Sequence, residues 1–330
     1  MTNDENKGFA TQDESLIRHS SFVIRHFPGV IRHAWLIYTL LTMLLWGGWG
    51  LASKPVADRL SPWQVQTVSA LGLLPVIGVL ACSRHLGDGL NPQRGFWQAF
   101  ASGIVATLGN IAYYQSLSAG GKAAEVTPLT ALYPVVTIVL AMVLLGERLS
   151  WVQLMGAIGA LAAIYFFNTG NDSSWLTPWL ALALIPIGLW GVSALLQKFA
   201  ALNASGELAT LGFLLGALPL AILMPFCVAM SWSLPTGTWI LAVAVGLLFG
   251  VGNLTLIFAY GVGGKASVVT PLAGLYSIVT IPLAVLILGE QLTRREGLGI
   301  ALALGAAAAL ACEKPAATMS QELSEHNEDH

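Results

Sequence analysis

Gly120-Gly121-Lys122-Ala123 returns 143 residues later as Gly263-Gly264-Lys265-Ala266, and the recurrence runs on in both directions. Val126-Thr127-Pro128-Leu129 matches Val269-Thr270-Pro271-Leu272. Leu132-Tyr133 matches Leu275-Tyr276, and Leu145-Gly146-Glu147 matches Leu288-Gly289-Glu290. Upstream, Gly109-Asn110 matches Gly252-Asn253. With one residue of slippage, Leu45-Trp46-Gly47 and Lys54 match Leu189-Trp190-Gly191 and Lys198. The matched positions include Asn, Lys, Thr, Pro, Tyr, Trp and Glu, so this is not chance similarity between apolar stretches. The chain contains one unit twice.

What the unit can be follows from its polarity. Only 10% of the 330 residues are charged and 55% are hydrophobic. A soluble domain carries roughly 25% charged residues, so this chain cannot face water all round. The mean hydropathy of +0.72 agrees. A helix rising 1.5 Å per residue needs about 20 apolar residues to cross a hydrocarbon core about 30 Å thick. Such segments are predicted near 34–54, 63–83, 96–118, 123–145, 150–168, 175–198, 206–229, 238–260, 266–288 and 294–312. A soluble bundle would need a polar face on each helix, and the stretches Leu180 to Leu189 and Ile240 to Phe249 have none. The expected fold is an all-α membrane protein of ten transmembrane helices in two five-helix repeats, 34–168 and 175–312. Five is odd, so the second repeat enters the membrane from the opposite side and the repeats are inverted. Many secondary transporters are built so, with the solute site at the midplane between halves.

The flanking segments differ. Residues 1–33 are polar and carry Ile-Arg-His at Ile17, Ile24 and Ile31. That spacing fits a basic helix lying on a membrane surface. Pro28 interrupts the run and favours a poorly ordered tail. The tail is too long and polar before the first apolar stretch to read as a cleaved signal peptide. Residues 313–330 form an acidic tail with Glu322, Glu325, Glu328 and Asp329.

Taken with the Trp-Gly and Lys of spans 1 and 6, the Thr-Pro-Leu to Gly-Glu stretches of spans 4 and 9 make the chain resemble the EamA family. That family belongs to the drug/metabolite transporter superfamily. The resemblance covers most of residues 34–312. It implies ten helices, both tails cytoplasmic and a central cavity between the halves. It also implies transport of metabolites, amino acids or drugs, often outward, with the substrate left open. One departure is Glu125, whose counterpart is Val268.

Orientation has its own signal. With the N-terminus inside, Lys7, Arg18, Arg25, Arg32, Arg84, Arg94, Arg148, Lys198, Lys265 and Lys314 lie in the cytoplasm. Lys54, Arg59, Lys122, Arg294 and Arg295 lie outside. Positive charge prefers the cytoplasm, so the N-terminus is predicted inside, in the cell (inner) membrane.

Polar side chains within a bilayer are costly and face a cavity or a partner helix. Asn110 and Asn253 occupy equivalent places on spans 3 and 8, and either line a solute cavity or bond to a neighbouring helix. Trp46 and Trp190 lie mid-span, away from the interfacial belts where membrane tryptophans gather. They either wall a pocket with Tyr113, Tyr133 and Tyr276, or pack closely beside Gly47, Gly48 and Gly191. Thr127, Pro128, Thr270 and Pro271 are hinge candidates, since proline removes a backbone donor and frees a carbonyl. A first-turn proline is equally compatible with an unbroken helix. Glu125 is the carboxylate that enters a span. It could exchange a proton for coupling, or answer Lys122 and the helix dipole. Lys54 and Lys198 fit span ends with their ammonium groups in the interface. Glu147 and Glu290 follow helix-ending glycines and read as structural, each before the positive N-terminus of the next helix. Small residues recur four apart in spans 5 and 10: Gly156 and Ala160, then Gly297, Ala301, Gly305 and Ala309. They allow close contact within the chain or in a homodimer.

Several function classes lose support. Cys82, Cys227 and Cys312 stand alone, with neither a disulfide framework nor metal-ligand spacing. The six histidines fall in tails or one loop, so no span carries an imidazole ligand, and no metal or other cofactor is expected. A net charge of -2 advertises no nucleic-acid partner. No serine triad, His/Asp cluster or P-loop appears, so the chain is not expected to be an enzyme, and transport would run on gradients or a partner. The expected partners are a small-molecule solute and the lipid bilayer. The leading expectation is a secondary transporter of a small organic solute, an exporter. A flippase-like lipid-handling protein and a non-transporting membrane subunit are the alternatives.

Overall fold

The computed structural model describes residues 34–145, 151–167, 177–261, 269 and 272–311. Thr270, Pro271, the Gly263-Gly264-Lys265 loop, Glu147 and both tails lie outside the described residues, as does the side chain of Lys198. The helices are α1 (Ala34–Ala57), α2 (Pro62–Ala81), α3 (Pro92–Ser118), α4 in two pieces (Ala123–Thr130 and Pro134–Leu145), α5 (Trp151–Phe167), α6 (Pro178–Asn203), α7 (Gly206–Cys227), α8 (Thr236–Gly261), α9 (Leu272–Ile287) and α10 (Arg294–Ala311). No described residue lies in a strand.

Local sequence explains where these helices start. Ser61, Asn91 and Ser205 each accept a hydrogen bond from the backbone N–H three residues on (Gln64, Arg94 and Leu208). Pro62 and Pro92 then fill first-turn positions where no N–H is missed. Before α10, Thr293 Oγ1 accepts from Glu296 N at 3.3 Å and Glu296 Oε2 accepts from Thr293 N at 2.7 Å, a reciprocal capping box.

The molecule is an integral membrane protein. Among the described residues, six helices are long and apolar enough to cross a bilayer: α1, α2, α6, α7, α8 and the segment Ala123–Leu140 of α4. Two shorter apolar helices are α5 and α9. The remaining two differ for physical reasons. α3 is long but carries Ser102, Thr107, Asn110 and Ser116 on buried positions, shielded by α6 and α7. α10 opens on Arg294, Arg295 and Glu296. Outward-facing side chains are those lipid requires: Phe226, Trp151, Leu286 and Val143 are among the most exposed residues.

The packing has two-fold character. α3 lies along α6 as α1 lies along α8, and α7 packs on α3 as α2 packs on α8. α4 meets α6 as α9 meets α1, while α5 and α10 pair with each other. Every one of these contacts has its mate when the helices of the two copies are exchanged. Matching glycines allow the close approaches. A Cβ on Gly103 would stand 2.0 Å from Phe213 O, and one on Gly246 only 1.6 Å from Ser69 O. Between α5 and α10, Ala160 and Ala163 are buried with Ala303 and Ala306, and a Cβ on Gly159 would meet Ala306 at 3.4 Å. The small residues of span 5, Gly156 included, are thus used within the chain. On α10, Gly297, Ala301 and Gly305 face outward instead.

Candidate functional site

The centre of the helix assembly is a cluster of aromatic rings drawn from six helices. Trp46 and Trp49 come from α1, Tyr113 and Tyr114 from α3, and Tyr133 from the break in α4. Trp190 comes from α6, Phe249 from α8 and Tyr276 from α9. Two edge-to-face pairs repeat the internal symmetry. Trp46 meets Tyr276 at 6.1 Å and 82°, and Trp190 meets Tyr133 at 6.4 Å and 86°. Each indole lies on a glycine of the partner helix. A Cβ on Gly252 would come within 2.6 Å of Trp46 Nε1, and one on Gly109 within 2.6 Å of Trp190 Nε1. Asn253 and Asn110 directly follow those glycines. The tryptophans therefore both pack against glycine and face the shared cluster.

Trp49 occupies the middle. It stacks on Tyr113 at 4.9 Å and 21°, and its ring lies 5.7 Å from Phe249, 6.1 Å from Trp190 and 6.3 Å from Tyr276. Its Nε1 donates to Tyr114 Oη at 3.4 Å, and the Tyr113 and Thr127 hydroxyls are 3.3 Å apart. Trp49, Tyr113 and Tyr114 are almost wholly buried. Sequence reasoning missed Trp49, Tyr114 and Phe249 because none recurs: their counterparts are Ser193, Ile257 and Ala106. The available signal for Trp49 was its place three residues after Trp46, on one helix face.

The symmetry is incomplete in its polar groups. Trp190 Nε1 donates to Ala106 O at 3.2 Å. Trp46 Nε1 is buried without a hydrogen-bond partner among the described residues. The carbonyl at the matching place, Phe249 O, accepts from Asn253 Nδ2 at 2.8 Å. Asn253 thus bonds to its own helix, not to a neighbour. Asn110 is buried on α3.

The break in α4 falls beyond its proline. Pro128 stays inside the first piece of α4, and the helix breaks at residues 131–133, where bonds of 3₁₀ type run from Leu132 N to Leu129 O and from Tyr133 N to Thr130 O. Thr130 Oγ1 donates to Val126 O at 2.8 Å, so the proline turn is held within the helix. The same break recurs in α9, with Leu275 N on Leu272 O and Tyr276 N on Ala273 O. Both breaks are pinned to the first helix of the other copy. Thr137 Oγ1 donates to Gly191 O and Thr280 Oγ1 to Gly47 O, each at 3.0 Å. Gly47 and Gly191 are needed there. A Cβ would lie 3.1 Å from Tyr276 O in one case and 3.0 Å from Tyr133 O in the other.

Charge is kept to the ends. Lys54 Nζ donates to Asp58 at 2.7 Å and to Leu117 O at 2.9 Å. At the start of α4, Lys122 Nζ lies 2.8 Å from Glu296 and 3.1 Å from the buried Glu125. Burial alone would lower the Lys122 pKa; the two carboxylates outweigh it and hold it above the ordinary lysine value. Glu290 is structural, but its partner is not the helix that follows it. Its carboxylate caps α4, accepting from Ala123 N at 2.7 Å and Ala124 N at 2.9 Å. The box of Thr293 and Glu296 already satisfies α10.

Open concavities of about 410 Å³ by Trp239 and Val243, and about 530 Å³ by Asn91 and Trp97, are lined by residues outside the aromatic cluster. Two related helix sets that meet at charge-free rings, with helices apolar enough to cross a bilayer, define the class: a polytopic α-helical membrane protein built from an internal repeat. A model of the EamA-like transporter family matches residues 33–169 and again 177–312. The chain belongs to the EamA-like transporter family, consistent with the drug/metabolite transporter superfamily, whose members are membrane transporters. An uncharacterized protein of Methanocaldococcus jannaschii is 24% identical over 136 residues, which is 41% of this chain and 97% of that one. A protein known from a crystal structure, 20% identical, shares the fold with a TM-score of 0.57 over 88% of this chain and 99% of its own.

Proposed function

We propose that this protein is a secondary transporter of a small organic solute such as a metabolite, an amino acid or a drug, and that it works as an exporter. The observation that carries the reading is the aromatic cluster. It lies where helices of both copies meet, and it is walled by two breaks that can act as hinges. In this reading all ten helices span the cell (inner) membrane as two inverted repeats, 34–168 and 175–312, with both termini cytoplasmic. Trp46, Asn110, Tyr113, Tyr133, Trp190, Asn253 and Tyr276 line the solute site, with Trp49 at its centre. The absence of charge among these side chains favours solutes without net charge, or cations held on ring faces. The hinge candidates Thr127, Pro128, Thr270 and Pro271 precede the breaks. A second copy would dock on the outward stripe of α10, Gly297, Ala301 and Gly305.

The orientation is tested by single cysteines at Lys122 and Lys265 in a background lacking the native three. The first should label from outside and the second from inside. Labelling of both from one side would end the inverted topology and the alternating access built on it. Export is tested by a metabolomic comparison of medium and cells with and without the protein. A solute that accumulates inside cells lacking the protein should flow out of proteoliposomes containing it. Movement of a phospholipid instead would favour the lipid-handling alternative.

A further inference from the structure

We infer that Lys122, Glu125 and Glu296 form a charge latch that holds one end of the transporter shut, and that the repeat-related positions of the opposite end, which carry Val268 and Gln153 in place of the two glutamates, latch it less strongly. The inference rests on the alternating-access reading above. Lys122 and Glu125 belong to the first copy and Glu296 to the second. Lys122 Nζ reaches Glu296 Oε1 at 2.8 Å, Gln291 O at 2.7 Å and Glu125 Oε1 at 3.1 Å. The ammonium is thus spent on one carboxylate of its own copy and two groups of the other. Glu125 is 3% exposed and Glu296 7%, so neither can exchange the ammonium for bulk water while this end is closed. Glu290, also of the second copy, grips the backbone of Ala123 and Ala124 beside it. Separating α4 from the start of α10, with Glu290 moving alongside, would strip Glu296 of its cation, leave Lys122 with Glu125 alone and deprive α4 of its cap.

The repeat offset of 143 shows what stands at the matching places of the opposite end. Lys122 maps to Lys265 and Glu290 to Glu147, so the lysine and the capping glutamate are kept. Glu296 maps to Gln153 and Glu125 to Val268. The two carboxylates that neutralise the lysine occur at one end only. Two ends built on one plan but charged differently give two conformations of unequal energy, with the state closed at Lys122 the more populated.

The test reads conformation and needs no solute, so its failure is separable from failure of the transport reading. Spin labels go on cysteines replacing Ala119 and Leu298, in full-length protein with Cys82, Cys227 and Cys312 changed to Ser, in lipid nanodiscs. Pulsed electron resonance should give one dominant short distance. Glu296→Gln and Lys122→Gln should each raise the ratio of long to short distances by at least about 5-fold, the ceiling for a fully exposed pair. The swap Lys122→Glu with Glu296→Lys should restore the short distance. Gln153→Glu, which supplies the missing carboxylate at the other end, should also lengthen it. Distances unchanged in both neutral variants would overturn the latch. Should those variants fail to fold, the wild type decides. Its labels should sit mainly at the short distance, and a dominant long distance would equally overturn the latch.

Discussion

Replacing Gly246 with alanine probes the helix contact on which the two-fold packing depends. Gly246 lies on α8 where it crosses α2, and a Cβ there would stand 1.6 Å from Ser69 O and 2.6 Å from Ser69 C. Real Cβ atoms essentially never approach another heavy atom within 3.0 Å, so the helices must part by about 1.4 Å, because the obstacle is backbone and cannot rotate away. A gap of 0.5–1 Å already forfeits a quarter to a half of each dispersion contact, and overpacking of this kind costs about 1–3 kcal/mol. The helix preference for alanine over glycine returns up to about 1 kcal/mol. With that return in full, the net expectation is a loss of roughly 0–2 kcal/mol against wild type, and of about 1–3 kcal/mol against a glycine whose Cβ has room. Gly78 supplies the control: nothing lies within 4 Å of its would-be Cβ, so Gly78→Ala should be neutral or slightly stabilising. Gly103→Ala, whose Cβ would meet Phe213 O at 2.0 Å, should follow Gly246→Ala. Unfolding titrations in mixed detergent micelles, followed by circular dichroism, measure all three. Gly246→Ala unfolding together with wild type and Gly78→Ala would refute the close α2–α8 crossing.

Other perturbations separate packing from binding. Trp190→Phe removes the donor to Ala106 O and should cost about 0.5–1.5 kcal/mol in the same titration, whereas Trp46→Phe removes an unpartnered N–H and should cost less. Equal losses would mean the two indoles are bonded alike. Asn110→Leu and Asn253→Leu should weaken solute affinity about 2- to 100-fold with little change in folding stability, the range for losing one neutral or charged hydrogen bond. Lower stability with unchanged affinity would remove them from the site. Glu125→Gln should weaken the latch yet leave transport still driven by a pH gradient, because the carboxylate is paired with Lys122. Abolished gradient-driven transport with solute exchange intact would assign it the coupling proton.

The membrane class, the helix positions and the duplication were all legible in the chain itself. They depend on quantities that are local and nearly additive: transfer free energy summed over about 20 residues, and residue identity compared at a fixed offset. The pairing of Trp46 with Tyr276 and of Trp190 with Tyr133 was within reach, since symmetry places matched residues in matched surroundings. Contacts that do not recur were out of reach. Trp49 takes the centre of the cluster because α1 turns that face toward α3, α6 and α8 at once, and no periodicity encodes a crossing of four helices. Glu290 illustrates the same limit. Its sequence neighbours point to the helix that follows, yet its carboxylate caps α4, 167 residues before it in the chain. The helix breaks fall after Thr130 and Gly274 and not at Pro128, because the Thr130 hydroxyl bridges the proline turn while Gly191 and Gly47 receive the next one. Composition selects the solvent in which a segment is stable. Which side chains then meet is decided by helix rotation and close approach, and these exist only once distant segments have packed.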